Sequence, residues 1–467
     1  MSLSPWIEQL KRTRAEHRLS SNKQTDIAII GGGIAGLSSA YYTLKTTEHH
    51  VALIEAGLIA HGATGHNAGQ AVSYFERPFA SIVAEFGLEL AAQAQDGLNN
   101  AWIDLEEIIR DANIQTPLSR CTGYVGFSTK EQALKYLEDA YWRKKAGIMI
   151  EHSLFLAKAH ADWLEDMPAD HAELVSLISH HEIQAMLETD DPQYVAAGFS
   201  PKGCLNSALF TEELAGYLLA TYPHRFAIFE RSPVSTLELS RTDTLLHITG
   251  HTLRAKKTVL CTNGFEHITI LNRDGEDVNT RFHQNVSGTV GYMTAYLDPI
   301  DQPPTAISYF PKDTEVSKTG EVYYYLTRRP FEKEKHIRHN LVCVGGPEEA
   351  LPESKNYQRT SAFPKEHEGE INAFIDKTYE QSPNDGMKAD YRWHGLMGYT
   401  SNGIRMVGPE PCNPNLLYNL GCNGIGILPS IYGGKRIAKW LSGKKPAPSI
   451  FDPRDYRCEL PTNDKNT

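Results

Sequence analysis

Three things are scarce in this chain of 467 residues. Paired cysteines are the first. Seven are scattered at 121, 204, 261, 343, 412, 422 and 458, and none stands at C-x-x-C spacing. That excludes a small disulfide scaffold and gives no support to a zinc ribbon, so free core cysteines in a reducing compartment and no metal are expected. Positive charge is the second: 46 Lys plus Arg face 57 Asp plus Glu, a net charge of −11. Basic residues cluster only at Lys11–Arg14 and Arg328–Lys335, so nucleic acid is not an expected partner. Uninterrupted apolar sequence is the third. Ile27–Leu44 carries no charge over 18 residues, but glycines at 31, 32, 33 and 36 break it, and Ser38, Ser39 and Thr43 dilute it. A strand, a turn and a helix explain that stretch better than a membrane span. The first 26 residues carry charges and no apolar signal core, so the expected location is cytoplasmic, with no transmembrane segment.

Hydrophobic residues at 41% and charged residues at 22% describe a globular chain of two or three domains. Residues 1–24 read as a polar leader with an amphipathic helical stretch over Pro5–Leu19 and no assigned chemistry. Thr25–Ile30, Ile34–Thr46 and Val51–Glu55 then read as strand, helix and strand, a unit whose right-handed crossover builds a parallel sheet. Residues 80–115 and 130–190 have helical periodicity. From Phe226 onward short alternating runs predict strands at Thr236–Leu239, Thr244–Ile248, Thr258–Cys261, Val286–Tyr296, Glu321–Thr327 and Leu341–Gly345. Helices are expected at Lys365–Gln381 and near Ile431–Leu441, with a surface loop over 345–370. The fold class is α/β with an α+β second domain. A Rossmann-like domain built on a parallel sheet spans 25–95, 200–285 and 386–445, and a substrate domain with a mixed or antiparallel sheet, 96–199 and 286–385, is inserted into it.

The turn Gly31-x-Gly33-x-x-Gly36 follows the first strand and opens the helix. Gly31 permits the tight turn, Gly33 lets backbone approach a pyrophosphate, and Gly36 lets helix and strand pack closely. The amides of Ile34 and Ala35 then lie at the positive end of the helix dipole, where phosphates bind. Glu55, 24 residues beyond Gly31, ends the second strand, beside Ala56, where a carboxylate can accept from a ribose hydroxyl pair. This pattern points to an ADP-containing cofactor and leaves NAD and FAD open.

The loop Ala60–Gln70, Ala-His-Gly-Ala-Thr-Gly-His-Asn-Ala-Gly-Gln, follows that strand directly. Here the chain resembles the FAD-dependent D-amino-acid oxidase family, in its glycine oxidase, sarcosine oxidase and γ-glutamylputrescine oxidase branch. The resemblance implies that Ala63, Thr64, His66, Asn67, Ala68 and Gln70 contact FAD beneath its ring system. Ser232-Pro233-Val234 is similar to the family segment in which a valine backbone holds the adenine. Val259–Gly264 resembles the strand and turn beside the pyrophosphate, which implicates Thr262 and Gly264. The segments Trp393–Gly408 and Tyr418–Gly434 resemble the closing portion, where Gly424, Ile425, Gly426 and Ile427 would face the flavin pyrimidine edge with backbone amides.

Two departures from the family pattern bear on the substrate. Amino-acid-oxidising members often carry Gly-Leu-Arg-Pro where this chain has Gly395-Leu396-Met397-Gly398. Methionine cannot grip a carboxylate bidentately, which favours an amine of the γ-glutamylputrescine type over a simple amino acid. Arg405 is the candidate to supply that charge, with a phosphate-side role as the alternative. His66 stands where many relatives have another residue; it either hydrogen-bonds within the loop or, as in dimethylglycine and sarcosine dehydrogenases, carries the flavin covalently. Tyr309, Tyr323, Tyr325, Arg328 and Trp393 are candidates for the substrate pocket, with alternation placing Tyr323 and Tyr325 on one face and Tyr324 on the other. The implied activity is oxidation of a C–N bond by hydride transfer to the flavin, giving an imine that water hydrolyses, with O2 or an electron carrier as final acceptor. Three other readings remain: an amino-acid (glycine, sarcosine or D-amino acid) dehydrogenase passing electrons to a carrier, another dinucleotide-fold enzyme using NAD, and a non-catalytic or tRNA-modifying relative.

Overall fold

The computed structural model describes residues 4–148, 153–263, 267–298, 302–312, 316–317, 320–321, 323–334, 337–351, 357–379, 389–454 and 458. The strand Lys23–Ile30 is buried along its last four residues, Ile27–Ile30, an apolar run with water on neither face. It pairs in parallel with Val51–Ile54 on one side and His251–Leu260 on the other. Phe226–Phe229 and Asn413–Leu420 extend this parallel core outward. Val234–Leu239, Thr244–Ile248, Thr269–Asn272 and Met406–Glu410 complete a sheet of nine strands among the described residues. The expected α/β unit is present, with the helix Ile34–Thr46 between the first two strands.

A second sheet, of ten strands among the described residues, is mostly antiparallel. Near one edge, Val286–Asp298 pairs with Ile337–Leu351 on one side and with the edge strand Tyr391–Thr400 on the other. Tyr324–Glu334, Thr305–Phe310, Ser119–Phe127 and Ala196–Cys204 carry it onward. Tyr391–Thr400, expected within the 386–445 part of the first domain, pairs in this second sheet. The short strand Gln70–Val72 joins this sheet through Ala196–Cys204, so the loop 60–70 runs from one sheet into the other.

Several local expectations give way to tertiary contacts. Region 130–190 is helical only in part: Lys130–Lys145 and His180–Leu187 flank the strands Leu154–Ala157 and Val175–Ile178. The loop expected from 345 gives way to strand as far as Leu351, because residues 340–351 stay paired with Val286–Asp298; residues 352–356 lie outside the described ones. The helix Lys365–Thr378 matches its expected start, and residues 380 and 381 lie outside the described ones. The leader helix is a single turn, Pro5–Glu8, and residues 9–19 continue as a strap of neither helix nor strand, held by side chains of both sheets. Cys412 and Cys458 form a disulfide, which corrects the expectation of seven free thiols; a separation of 46 residues leaves no spacing signal. Among the described residues no helix is long and apolar enough to cross a membrane, and no group of three His, Cys, Asp or Glu could hold a metal ion.

The C-terminal helix Ile427–Leu441 packs on Ile34–Thr46 through small residues. A Cβ added at Gly434 would stand 2.8 Å from Ser38 Cβ, closer than packed carbons allow. Gly434→Ala should therefore push the two helices apart and cost about 1–3 kcal/mol, read as a lower urea midpoint of the flavin-free protein.

Candidate functional site

The two sheets enclose a cavity of about 420 Å3. The glycine turn forms one end. Gly31 holds φ +111°, a conformation that side chains rarely adopt, and an added Cβ would stand 2.5 Å from the Cys261 carbonyl oxygen. A Cβ at Gly36 would run into the carbonyl oxygen of Gly31 itself, so this glycine packs the turn and does not line the cavity. Thr64 accepts a hydrogen bond from the Ile34 amide at 3.1 Å, tying the loop 60–70 to the start of the helix. Glu55 accepts from the amides of Gly32 and Gly57, each at 2.7 Å, and burial raises its carboxyl above the usual range.

The loop is braced from within. Asn67 donates to the Ala63 and Thr64 carbonyls and to Ser207 Oγ at 2.8–3.0 Å, and accepts from the Gly69 amide at 2.7 Å. Gln70 reaches the second sheet, donating to Thr327 Oγ1 at 2.8 Å. His66 Nδ1 lies 3.0 Å from the Gly62 carbonyl oxygen, so in the neutral ring Nδ1 carries the proton. Burial lowers the His66 pKa to about 4. Among the expected cofactor residues, Gly31, Gly33, Ile34, Ala35, Glu55, Ala56, Ala63, Thr64, His66, Asn67, Ala68, Gln70, Val234, Thr262, Gly424, Ile425, Gly426 and Ile427 all line the cavity. Gly264 lies outside the described residues.

The other end of the cavity belongs to the second sheet. Tyr323 and Tyr325 line it, while Tyr324 turns the opposite way and stacks on Phe374 at 4.2 Å, as the alternation required. Tyr323 donates its hydroxyl to Glu76 Oε1 at 2.8 Å. Glu76 and Tyr399 sit beside Gly424, where an added Cβ would stand 3.4 Å from the Glu76 carboxyl carbon and 3.3 Å from the Tyr399 hydroxyl. Glu348 faces the same space, its pKa pushed up to about 7 by burial and then by the charge of Glu76.

Four of the six candidates for the substrate side, Arg328, Trp393, Arg405 and Tyr309, are engaged elsewhere. Arg328 lies outside the cavity, almost fully buried, and forms a fork with both oxygens of Glu188 at 2.5 and 2.9 Å while also donating to the Tyr379 hydroxyl. An arginine so engaged is a buried structural pair. Trp393 is buried two residues along the strand from Gly395, in the core rather than on the cavity wall. Arg405 lines the cavity but donates to the Asn419 side chain and backbone, and Asn419 in turn donates to Ala35 and Ser39 of the first helix. It therefore stands on the glycine-turn side. Burial lowers its pKa to about 10, which keeps it charged at neutral pH. Tyr309 is wholly buried and donates to the Leu187 carbonyl. Tyr323 and Tyr325 remain on the cavity wall. The carboxylates Glu76 and Glu348, with Tyr74 and Tyr399, escaped the sequence reading because neither stands in a motif. Their convergence depends on strand pairing between distant segments.

The residues present fit FAD. The glycine cradle has no room for side chains but leaves space for backbone to meet phosphates, and Thr262 Oγ1 is a buried hydroxyl without a partner on the cavity wall. Residues 26–440 match the model of the DAO family, described as FAD dependent oxidoreductase. The chain belongs to that family. Gamma-glutamylputrescine oxidoreductase of Escherichia coli (strain K12) is 33% identical over 93 residues, which span 20% of this chain and 21% of that protein. This chain thus matches about a fifth of that relative's length. Glycine oxidase from Geobacillus kaustophilus shares the fold at TM-score 0.62 and 17% identity, covering 92% of this chain and 98% of that one. L-proline dehydrogenase from P. horikoshii does so at TM-score 0.66 and 14% identity, covering 92% and 97%. The family makes the protein an FAD-dependent oxidoreductase, and the NAD reading falls away.

Acid precipitation of the purified holoprotein should release a chromophore with bands near 375 and 450 nm into the supernatant, about those of free flavin. Yellow colour held in the pellet would instead assign a covalent link to His66.

Proposed function

We propose that the enzyme oxidises the C–N bond of a cationic amine, of the γ-glutamylputrescine type, and that Glu76 and Glu348 receive the amine. The single observation that carries this reading is the character of the substrate end: two carboxylates among four tyrosines, with Met397 on the wall where carboxylate-binding relatives place arginine. A site of that kind attracts an ammonium; the buried Lys202, whose charge acts on Glu76, is engaged by Ser308 Oγ at 3.3 Å, and Arg359 also lines the cavity. The relative in Escherichia coli whose name includes gamma-glutamylputrescine supports the same substrate class over the short stretch it matches. Arg405, held by Asn419 on the cofactor side, argues against the amino-acid alternative.

When bound, FAD supplies a two-electron acceptor for the hydride of the amine's C–H bond. The chain's own tasks are to bind, orient and deprotonate. An ammonium has no lone pair with which to form the C=N bond, so its proton must leave first. Glu348, with a pKa of about 7, is matched to accept that proton on a carboxylate oxygen near neutral pH. Glu76, fixed by the Tyr323 hydroxyl, holds the nitrogen in place. Tyr325 and Tyr399 wall the site and lower its polarity, which favours the neutral amine.

The test is a substrate panel read both by peroxide and by an artificial electron-accepting dye. Primary alkyl amines and γ-glutamylputrescine should be turned over in preference to glycine, sarcosine and D-amino acids. Glu76→Gln should raise KM by about 10-fold or more with FAD content unchanged. A preference for amino acids, or a Glu76→Gln variant with an unaltered KM, would sink the proposal.

A pH dependence arises from Glu348. Its carboxyl is neutral below about 7 and charged above, so attraction for the cation grows as pH rises through 7. The KM for a cationic amine should therefore fall across that range, and Glu348→Gln should flatten the profile. Stability has the opposite sign. A folded-state pKa raised from 4.5 to about 7 stabilises the protein fully below 4.5, and that contribution is lost as pH rises through 7.

A further inference from the structure

Residues 4–19 do not behave as a leader. Trp6 has no exposed surface, and its indole Nε1 donates to the Asn67 carbonyl oxygen in the middle of the loop 60–70. Ser4, equally buried, donates its hydroxyl to the Gly65 carbonyl oxygen of the same loop. The Trp6 ring lies on Gly69, where φ is +71° and an added Cβ would stand 2.7 Å from Cη2. Both sheets anchor the segment. On the first, Arg12 and Arg14 grip the fully buried Glu230 at 2.7–2.8 Å, and Arg12 also donates to the Ile59 carbonyl at 3.1 Å, just before the loop. On the second, the Arg329 guanidinium stacks over the Trp6 ring at 4.4 Å, and Tyr391 donates to Glu8.

These contacts set the direction of a peptide plane. No peptide bond among the described residues is cis, so the carbonyl of Asn67 and the N–H of Ala68 point to opposite sides of their shared plane. Trp6 holds the carbonyl on the outer side. The Ala68 N–H is thereby turned the other way, Ala68 lines the cavity, and this N–H has no acceptor among the described residues. Ala68 is half-buried, so this donor stands open on the cavity side for a ligand to meet.

We infer that Ser4 and Trp6 are positioning residues for the cofactor: they fix the loop 60–70 from behind so that the Ala68 N–H is presented to bound FAD. The segment 4–19 is then the outer wall of the flavin site. Its role is independent of which substrate the enzyme takes, and it rests only on the FAD site itself.

The test uses the full chain, stripped of flavin and titrated with FAD by flavin fluorescence. Trp6→Phe keeps most of the ring and removes the donor; Ser4→Ala removes the hydroxyl, and Ser4→Thr restores it. Loss of one such hydrogen bond should weaken FAD binding by about 3–10-fold, with Ser4→Thr returning to the parent value. The bound flavin of Trp6→Phe should also show a less resolved 450 nm band, while the melting temperature of the flavin-free protein changes little. An unchanged FAD affinity and spectrum, with melting temperature lowered equally with and without FAD, would overturn the inference and leave the strap a structural brace. Should Trp6→Phe fail to fold, the Ser4→Ala and Ser4→Thr pair decides the matter alone.

Discussion

Everything in this protein is arranged around a place where side chains are excluded. Gly31 meets the Cys261 carbonyl, Gly36 meets the Gly31 carbonyl, and Gly33 faces Thr64, so three backbone segments converge with no side chain of their own between them. Such an approach is possible only if the strand Lys23–Ile30 is held on both edges by parallel partners and the helix Ile34–Thr46 is pressed from outside by Ile427–Leu441. The C-terminal helix thus serves the N-terminal turn across almost the whole chain. What results is backbone donors and glycine surface with little conformational freedom left to lose when a dinucleotide binds.

The second sheet supplies the opposite kind of surface. Tyr325, Tyr399 and Glu348 face the cavity from its strands, Tyr323 stands just before one of them, and Tyr74 and Glu76 come from the bends that follow Gln70–Val72. Taking a carboxyl out of water is costly, and the raised pKa of Glu348 records that burial first and the charge of Glu76 second. A fold keeps such a feature at a binding site, because a cation of the right shape relieves it. The chemistry and the strain lie at the same place.

Local elements were legible from the residues alone because their signals are short-range. The glycine turn, Glu55 and the alternation of Tyr323 and Tyr325 depend on neighbours within about twenty-five residues, and all stand where periodicity and turn chemistry put them. The arginines were not legible. Arg328 and Arg405 look alike in sequence, yet one is matched by Glu188 and the other by Asn419, and only tertiary pairing separates those fates. Glu76 and Glu348 are separated by most of the chain, and the Cys412–Cys458 pair has no spacing signature. The strap at 4–19 was misread for a different reason: its polar residues are buried in pairs, Arg14 with Glu230 above all, so composition suggested solvent where the fold places protein.

The Cys412–Cys458 bond makes a closed ring of the chain between those residues. That ring contains Gly424–Ile427 and the whole helix Ile427–Leu441, the elements that line the cavity and press on the first helix. In an unfolded chain the ring cannot open out, which in the chain-entropy view favours the folded state by about 4 kcal/mol. The same ring is also tied without sulfur, by the Val407 amide on the Phe451 carbonyl and by Arg436 on Asp452. Oxidation state therefore sets how far this corner can wander once it comes loose, while its folded shape rests on packing and hydrogen bonds. A thiol-reducing environment would shorten the memory of the unfolded chain and leave the native geometry of the cofactor edge in place.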